Sequence, residues 1–442
     1  MKLGVAFGSG GSQILKGPAY TERALYLRVD CDKYGKHIVK VVNTLGIEGL
    51  DSEEGEFTTH KGWNGVMAKL DSYVETVKGE LDNKMKKSNN TCGKYPSYDH
   101  EYKENLCTLD DNVSRFSANT KGLDCNRSEG KVLILATVHN TFKSPQKVKS
   151  YWCSFDDLET TNRFKTEVCL DNPEDLPMSI EYMDRDSFDV IDRAGRFMAN
   201  FIKIFGSDSS VVSKGWDYKV RFEGLNIRGA ATFPDKLNYF LNPICPPILT
   251  TRIMDMGRAR DHHIATTVGD FNGSLDRFEE RFAKFRKENK GKIDVHECKL
   301  ASEVNGVNAF LCVSAAAFKT YCVGTGLQGI SVDYALPKNY GCVPKLPPSN
   351  TPVRRMRYSH FGCNVVHEYL AYEQGIDTHE KKIELQHVVD EVCKGRLPAE
   401  HGHGTEYHAP NDTKKRWQKM DPLNVMNPGV GGLSTKYRYE KE

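Results

Sequence analysis

The chain has 442 residues, 39% of them hydrophobic and 27% charged, with a formal net charge of +2. That length exceeds one ordinary core and calls for two or three domains. The near balance of charge excludes a global nucleic-acid signal and leaves electrostatic targeting to local patches. Apolar runs such as 132–138 and 309–318 fall well short of the ~20 residues that span a bilayer. Gly8 to Gly11 break the first apolar stretch, unlike a secretory signal. Any membrane contact is therefore expected at the surface. Thirteen cysteines with no Cys-x-x-Cys pair point to free thiols in a reducing compartment rather than a disulfide framework or a cysteine zinc site.

Taken in order, Gly8-Ser-Gly-Gly11 and Gly17-Pro-Ala-Tyr20 form a glycine-rich loop. The strand-like stretches 25–29 and 38–42 follow, separated by a turn at 32–36, and predict an antiparallel hairpin. Residues 79–127, rich in Lys, Asn, Asp and Ser, read as a long loop or insertion. The run 131–138 after Gly130 reads as a buried strand. In 277–292 the apolar spacing predicts an amphipathic helix, with Phe278, Phe282 and Phe285 on one face. Those rings are expected to pack on a neighbour, although seven Lys/Arg against three Glu would also suit an acidic membrane. Residues 193–228 interleave Arg196, Lys203, Lys214, Lys219 and Arg221 with Phe197, Phe201, Phe205, Trp216, Tyr218 and Phe222. Basic residues among aromatics suit a headgroup interface better than a core.

Seven of the fourteen histidines fall between His360 and His408. His360 and His367 would sit ~10 Å apart along a straight helix and on opposite faces of a single strand. Gly362 and Asn364 between them permit a turn, and the resulting hairpin would set the two imidazoles side by side. That geometry suits a divalent metal with nitrogen ligands and one carboxylate. Glu400 is the candidate carboxylate. The adjacent His401, with a pKa near working pH, is suited to moving a proton. The pattern His401-Gly-His403 with Glu406 also looks like a cupin ligand set. That motif should lie among short, regularly spaced strands, whereas a predicted helix at 378–394 precedes it and a turn-rich tail at 421–432 follows.

The segment Ser9-Gly-Gly-Ser…Lys16-Gly-Pro-Ala-Tyr-Thr-Glu22, with Val42-Asn-Thr-Leu-Gly-Ile47, resembles the flavin domain of quinone-linked, membrane-associated D-lactate dehydrogenases. Glu181-Tyr-Met-Asp-Arg-Asp186 resembles the start of their cap. Arg252 with Asp261-His-His263, Val332-Asp-Tyr-Ala-Leu336, His360…His367, Ala399-Glu-His-Gly402 and Asp421-Pro-Leu-Asn…Met426-Asn-Pro-Gly429 resemble further stretches in the same order.

The resemblance implies an α+β protein. Residues 1–142 would form part of a vanillyl-alcohol-oxidase-type FAD-binding domain, 143–390 a cap and membrane-binding region, and 391–442 a segment returning to the flavin domain. It implies FAD taking a hydride from C2 of D-lactate, electrons passing to quinone, and a peripheral position on the cytoplasmic side of an anionic inner membrane. Gly10, Gly11, Gly130 and Ile134 would contact FAD. His360, His367 and Glu400 would bind a divalent metal such as zinc, His401 would be the base, and Arg252 would hold the substrate carboxylate by its two-pronged geometry. No nucleic-acid partner is implied. The family's main pyrophosphate-binding loop is expected to lie outside this sequence, and Ile264-Ala-Thr-Thr267 stands where the family pattern carries a lysine. Two alternatives stay open: a related dehydrogenase acting on D-2-hydroxyglutarate or glycolate, and a non-catalytic remnant used as an interaction module.

Overall fold

The computed structural model describes residues 14–15, 21, 23–31, 33–45, 101–116, 122–138, 144–206, 209–399 and 401–440. Its elements run β1 (Arg23–Cys31), β2 (His37–Asn43), α1 (Tyr102–Cys107), β3 (Leu133–Val138), β4 (Val148–Phe155), α2 (Leu158–Phe164), β5 (Ser179–Asp184) and α3 (Arg185–Ala194). They continue with α4 (Arg196–Phe205), α5 (Ser210–Glu223), α6 (Phe233–Leu241), α7 (Thr251–Ala259), β6 (His262–Gly269), α8 (Ser274–Glu288), β7 (Ile293–Cys298), α9 (Ala301–Cys312) and α10 (Ser314–Thr325). The last are β8 (Gln328–Ala335), β9 (Arg354–His360), β10 (Val365–Tyr372), α11 (Thr378–His387) and α12 (Asn411–Met420). The mixture is α+β, as expected.

Two sheets organise the chain. The smaller has the order β2-β1-β3, and the larger has seven antiparallel strands in the order β7-β4-β6-β5-β9-β10-β8. The predicted hairpin is β1–β2, paired from Leu25↔Asn43 to Cys31↔His37. Strand β3 departs from expectation. It pairs with β1 alone among the described strands, and Leu133 is 46% exposed, so this strand is half-covered rather than buried. Within the stretch expected to be a loop, α1 is a short helix that buries Tyr102 and Leu106.

Alternation along the strands of the large sheet sends successive side chains to opposite faces. On one face Trp152, Met183, Ala265, Met356 and Tyr369 meet helices α3, α7, α9 and α10. On the other, Tyr151, Cys153, Ile180, Tyr182 and Ile264 meet α8, whose Phe278, Phe282 and Phe285 are all buried. Each such ring contributes about 2–3 kcal/mol on burial, which fixes α8 as a core helix with a solvated basic face. Gly257 of α7 belongs to the first layer, since a Cβ there would lie 2.2 Å from the Phe188 ring.

A further core joins the ends of the chain. Ala24, Tyr26, Leu123 and Val132 pack with Ala409, Trp417, Met420 and Val430. Trp417 donates its indole hydrogen to the Arg127 carbonyl across 290 residues of sequence. Beneath it, the Lys131 ammonium donates to Asn424 at 2.7 Å and lies 3.6 Å from Asp421, with both charged side chains fully buried. Burial lowers the Lys131 pKa, and the Asp421 charge opposes that shift. The described cysteines are all free thiols.

Candidate active site

The hairpin β9–β10 carries the central residues. In its connecting turn Asn364 takes φ 56°, a left-handed geometry that asparagine tolerates better than most side chains. Its amide nitrogen donates to the carbonyls of Pro337 (2.7 Å) and Tyr340 (3.0 Å), which ties the turn to the segment after β8. Register then decides which side chains meet, because directly opposed residues share a face. Glu181 opposes His360, and His367 opposes Tyr358 on one side and Asp333 on the other.

His360 and His367 approach Nε2 to Nε2 at 3.1 Å. Each turns its Nδ1 to a carboxylate. His360 meets the two Glu181 oxygens at 3.1 and 2.9 Å, and His367 meets Asp333 Oδ1 at 2.6 Å. An ionised carboxylate only accepts hydrogen bonds, which assigns a hydrogen to each Nδ1 and a lone pair to each Nε2. Lone pairs opposed at that distance repel, and a cation between them, proton or metal, removes the conflict. A carboxylate behind each ring is also how imidazole metal ligands are oriented and made more basic.

Asp333 extends the cluster. Its Oδ2 lies 3.6 Å from His401 Nε2, and Asp333, His367 and His401 offer ligand atoms within 4.8 Å of one another. His367 is buried while the His401 side chain is 56% exposed, so the cluster opens outward at His401. Tyr358 donates to Glu181 at 2.6 Å. Burial, with the Glu181 charge beside it, raises this phenol well above its usual range and keeps it a neutral donor. On the same face a cavity of about 310 Å³ lies between the sheet and α9, with Glu181, Tyr358 and His360 in its wall.

Two residues beyond His401 the chain is pinned to the smaller sheet. Buried His403 has Nδ1 2.7 Å from Glu129 Oε1, and its backbone N–H donates to Oε2 at 2.7 Å. Glu129 and Gly130 both take positive φ, 46° and 88°. A Cβ on Gly130 would come 3.0 Å from the Asn427 side chain, so the turn into β3 requires glycine. Ile134 of β3 is partly buried against the same core. The Glu129–His403 contact thus ties the segment of the expected base, His401, to the turn that carries Gly130 and leads into the strand of Ile134.

Gly10, Gly11 and Glu400 lie outside the described residues. Arg252, expected to hold the substrate carboxylate, is not brought to the histidines. It sits in the first turn of α7, 57% exposed, with its guanidinium 3.5 Å from Asp294 of β7. In the sheet order β7 is four positions from β9, on the order of 19 Å at ~4.8 Å per strand. His263 is buried between Trp152 and Phe188, and burial pushes its pKa down to about 3, so it is a neutral core residue. The cupin pattern dissolves: His403 pairs with Glu129, Glu406 pairs with Lys382, and the described strands form two open sheets. Sequence reasoning missed Glu181 and Asp333 as partners. The available signal was an acid set between apolar neighbours on a strand, Ile180-Glu181-Tyr182 and Val332-Asp333-Tyr334.

The family described as D-lactate dehydrogenase, membrane binding, matches residues 150–439. The chain belongs to that family. A quinone-dependent D-lactate dehydrogenase of Corynebacterium glutamicum is 28% identical, over 98% of this chain and 72% of its own length. The protein of that name from Escherichia coli K12 is 25% identical, over 99% and 73%. Partial overlaps with solved structures include 4-ethylphenol oxidase from Gulosibacter chungangensis (TM-score 0.34, 11% identity, 68% of this chain and 56% of that one). Another is alkyldihydroxyacetonephosphate synthase (TM-score 0.38, 12% identity, 70% and 50%). The chain thus spans about half the length of these solved structures.

Membership of the D-lactate dehydrogenase membrane-binding family makes this a membrane-associated protein. No single helix among the described residues is long and apolar enough to cross a membrane. The pair α9 and α10 has the length and composition together, bent by 56°, but buries Val307, Phe310 and Phe318 in the core. Uncovered apolar side chains gather instead on α4 to α6 and just beyond, among them Ile204 (72% exposed), Tyr218 (70%), Phe240 (80%) and Ile244 (79%). Helix α5 has no buried residue at all. Exposure on that scale marks an interaction surface.

Proposed function

We propose that this chain oxidises D-lactate to pyruvate and delivers the two electrons to quinone, using FAD, while docked on the cytoplasmic face of an anionic membrane. The observation that carries the reading is the cluster His360–His367–Asp333–His401, linked through His403 and Glu129 to the Gly130 turn. The family match and the two quinone-dependent relatives support the reaction and the acceptor.

Gly130, in the turn into β3, and Ile134, which the strand leaves partly uncovered, would hold the flavin edge. FAD bound there supplies the acceptor for the hydride on C2. The facing Nε2 atoms of His360 and His367 fit a divalent cation such as zinc, with Glu400 as the carboxylate. Such an ion would lower the pKa of a 2-hydroxyl. His401 takes the hydroxyl proton, and Asp333 beside it stabilises the imidazolium that results. Glu181 and Asp333 hold the rings of His360 and His367 in one tautomer. Arg252 is left out of this scheme because its partner is Asp294. The exposed aromatics of α4 to α6, with exposed Lys214 and Arg221, provide the docking face, whereas Arg196 is held by Asp192 and Lys219 by Glu223 and Asp235.

The test is the visible spectrum of the purified chain, followed by D-lactate-dependent reduction of a soluble quinone. His401→Ala should lower turnover by roughly 10²–10⁴-fold with flavin content unchanged. Near-normal turnover in that variant would remove the base role, and indifference of the parent enzyme to chelators would remove the metal.

A further inference from the structure

The cavity beside His360 is larger than a three-carbon hydroxy acid needs. Its volume of about 310 Å³ corresponds to some ten waters at ~30 Å³ each, whereas lactate has six non-hydrogen atoms. It runs under α9 from His360 on β9, past Glu181 on β5 and Ala265 on β6, to Cys298 on β7. One end is walled by His360, Glu181 and Tyr358 of the histidine cluster, and the rest is room beyond them.

The wall states what that room will take. Ala265, Val304, Val307 and Leu311 give it an apolar lining. Apart from that of Ser179, the hydroxyls that reach it are already partnered. Ser150 and Thr267 bond each other at 3.2 Å, and Thr266 donates to the Ser179 carbonyl at 2.9 Å. Apart from the Asn308 amide and the Ser179 hydroxyl, little there calls for a polar ligand. No lysine or arginine among the described residues lines it, and the carboxylate present is Glu181. A second carboxylate on a substrate would be buried without a cation and near a like charge, which is strongly unfavourable.

Building on the dehydrogenase reading, we infer that this cavity receives the substrate side chain. The chain then acts on D-2-hydroxy acids whose side chains are apolar and longer than the methyl of lactate. Selectivity is set by α9, with Val307 and Leu311 as its specificity-determining residues. Each added methylene buried there should tighten binding roughly four-fold.

The experiment measures ligand-induced thermal stabilisation and kcat/KM on the full chain for four acids. These are D-lactate, D-2-hydroxybutyrate, the D-2-hydroxy analogue of leucine, and D-2-hydroxyglutarate. The expected order places the leucine analogue first and hydroxyglutarate last by both readouts. Val307→Phe, which fills the cavity, should cut the preference for the leucine analogue over D-lactate at least ten-fold. If D-lactate binds and reacts but the longer apolar acids gain nothing, the inference is overturned and the dehydrogenase reading stands. Preference for hydroxyglutarate overturns it in the same way. If no 2-hydroxy acid binds or reacts, the dehydrogenase reading itself fails. If Val307→Phe instead abolishes binding of a short-chain benzoquinone and leaves the hydroxy acids untouched, the cavity belongs to the electron acceptor and the inference falls.

Discussion

The β8–β10 end of the large sheet and the α4–α6 helices depart from ordinary burial in opposite directions. At the sheet, Glu181, His367 and Glu368 are buried and each is paired. On the helices, Ile204, Tyr218 and Phe240 are more than two-thirds exposed. A fold tolerates a buried polar group when its partners are supplied, because an unpaired one costs about 1–3 kcal/mol. It tolerates exposed aromatics without such penalty, but a large contiguous set is unusual for a surface that meets only water. The first departure marks chemistry and the second marks contact.

If the sheet region is chemical, its carboxylates should matter to rate more than to folding. Asp333→Asn keeps the shape of the side chain but breaks the charge that links His367 to His401. We expect kcat to fall about 10–100-fold, the range for losing a group that orients such ligands, with little change in unfolding midpoint. A variant with normal kcat and lowered stability would move Asp333 to the structural side of the comparison.

If the helices are a contact surface, the reverse pattern should hold. Replacing Trp216 and Phe240 together by serine should weaken vesicle co-sedimentation by roughly ten-fold or more, as expected from the apolar area removed. Turnover of D-lactate with a soluble acceptor should be unaffected. Binding of the parent should need anionic lipid and weaken in salt, since screening acts within ~8 Å at physiological ionic strength. Equal binding to neutral vesicles would leave the apolar contact but remove the electrostatic one.

The smallest effect separates a buried histidine with no chemical role from the reactive ones. His263 is held neutral by burial, with its pKa at about 3, against ~6.5 in an unfolded chain. The unfolded state therefore binds one more proton between these values, and stability is lost as pH falls from 6.5 toward 3. His263→Phe should reduce that slope by up to ~1.4 kcal/mol per pH unit, read from urea midpoints between pH 6.5 and 4.5. An unchanged slope would mean that the ring is hydrated in the folded protein.

Sequence patterns carried the local features. The turn residues Gly362 and Asn364, the hairpin β1–β2 and the phenylalanine stripe of α8 were all readable, because each depends on near neighbours. The partners of the histidines were not. Glu181 reaches His360 across 179 residues through strand register, and Asp333 reaches His367 the same way. Arg252 shows the converse, since its motif was readable but its position follows from the order of strands, which places β7 at the far edge. The outward face of β3 likewise depended on which strands pair beside it.

The joining of chain ends in one core bears on how the protein is made. Trp417 meets the Arg127 carbonyl across 290 residues. At a synthesis rate of ~5–20 residues per second, roughly 15–60 s separate the appearance of the two on the ribosome. During that interval Ala24, Tyr26 and Val132 lack the tryptophan and methionine that cover them. The antiparallel sheet from β4 to β10 is by then complete in the nascent chain and free to fold. The Gly130 turn gains its neighbour Asn427 later still. Chaperones that guard exposed apolar surface thus have a long task at β1 to β3, whose covering helix is made last of the elements in that core.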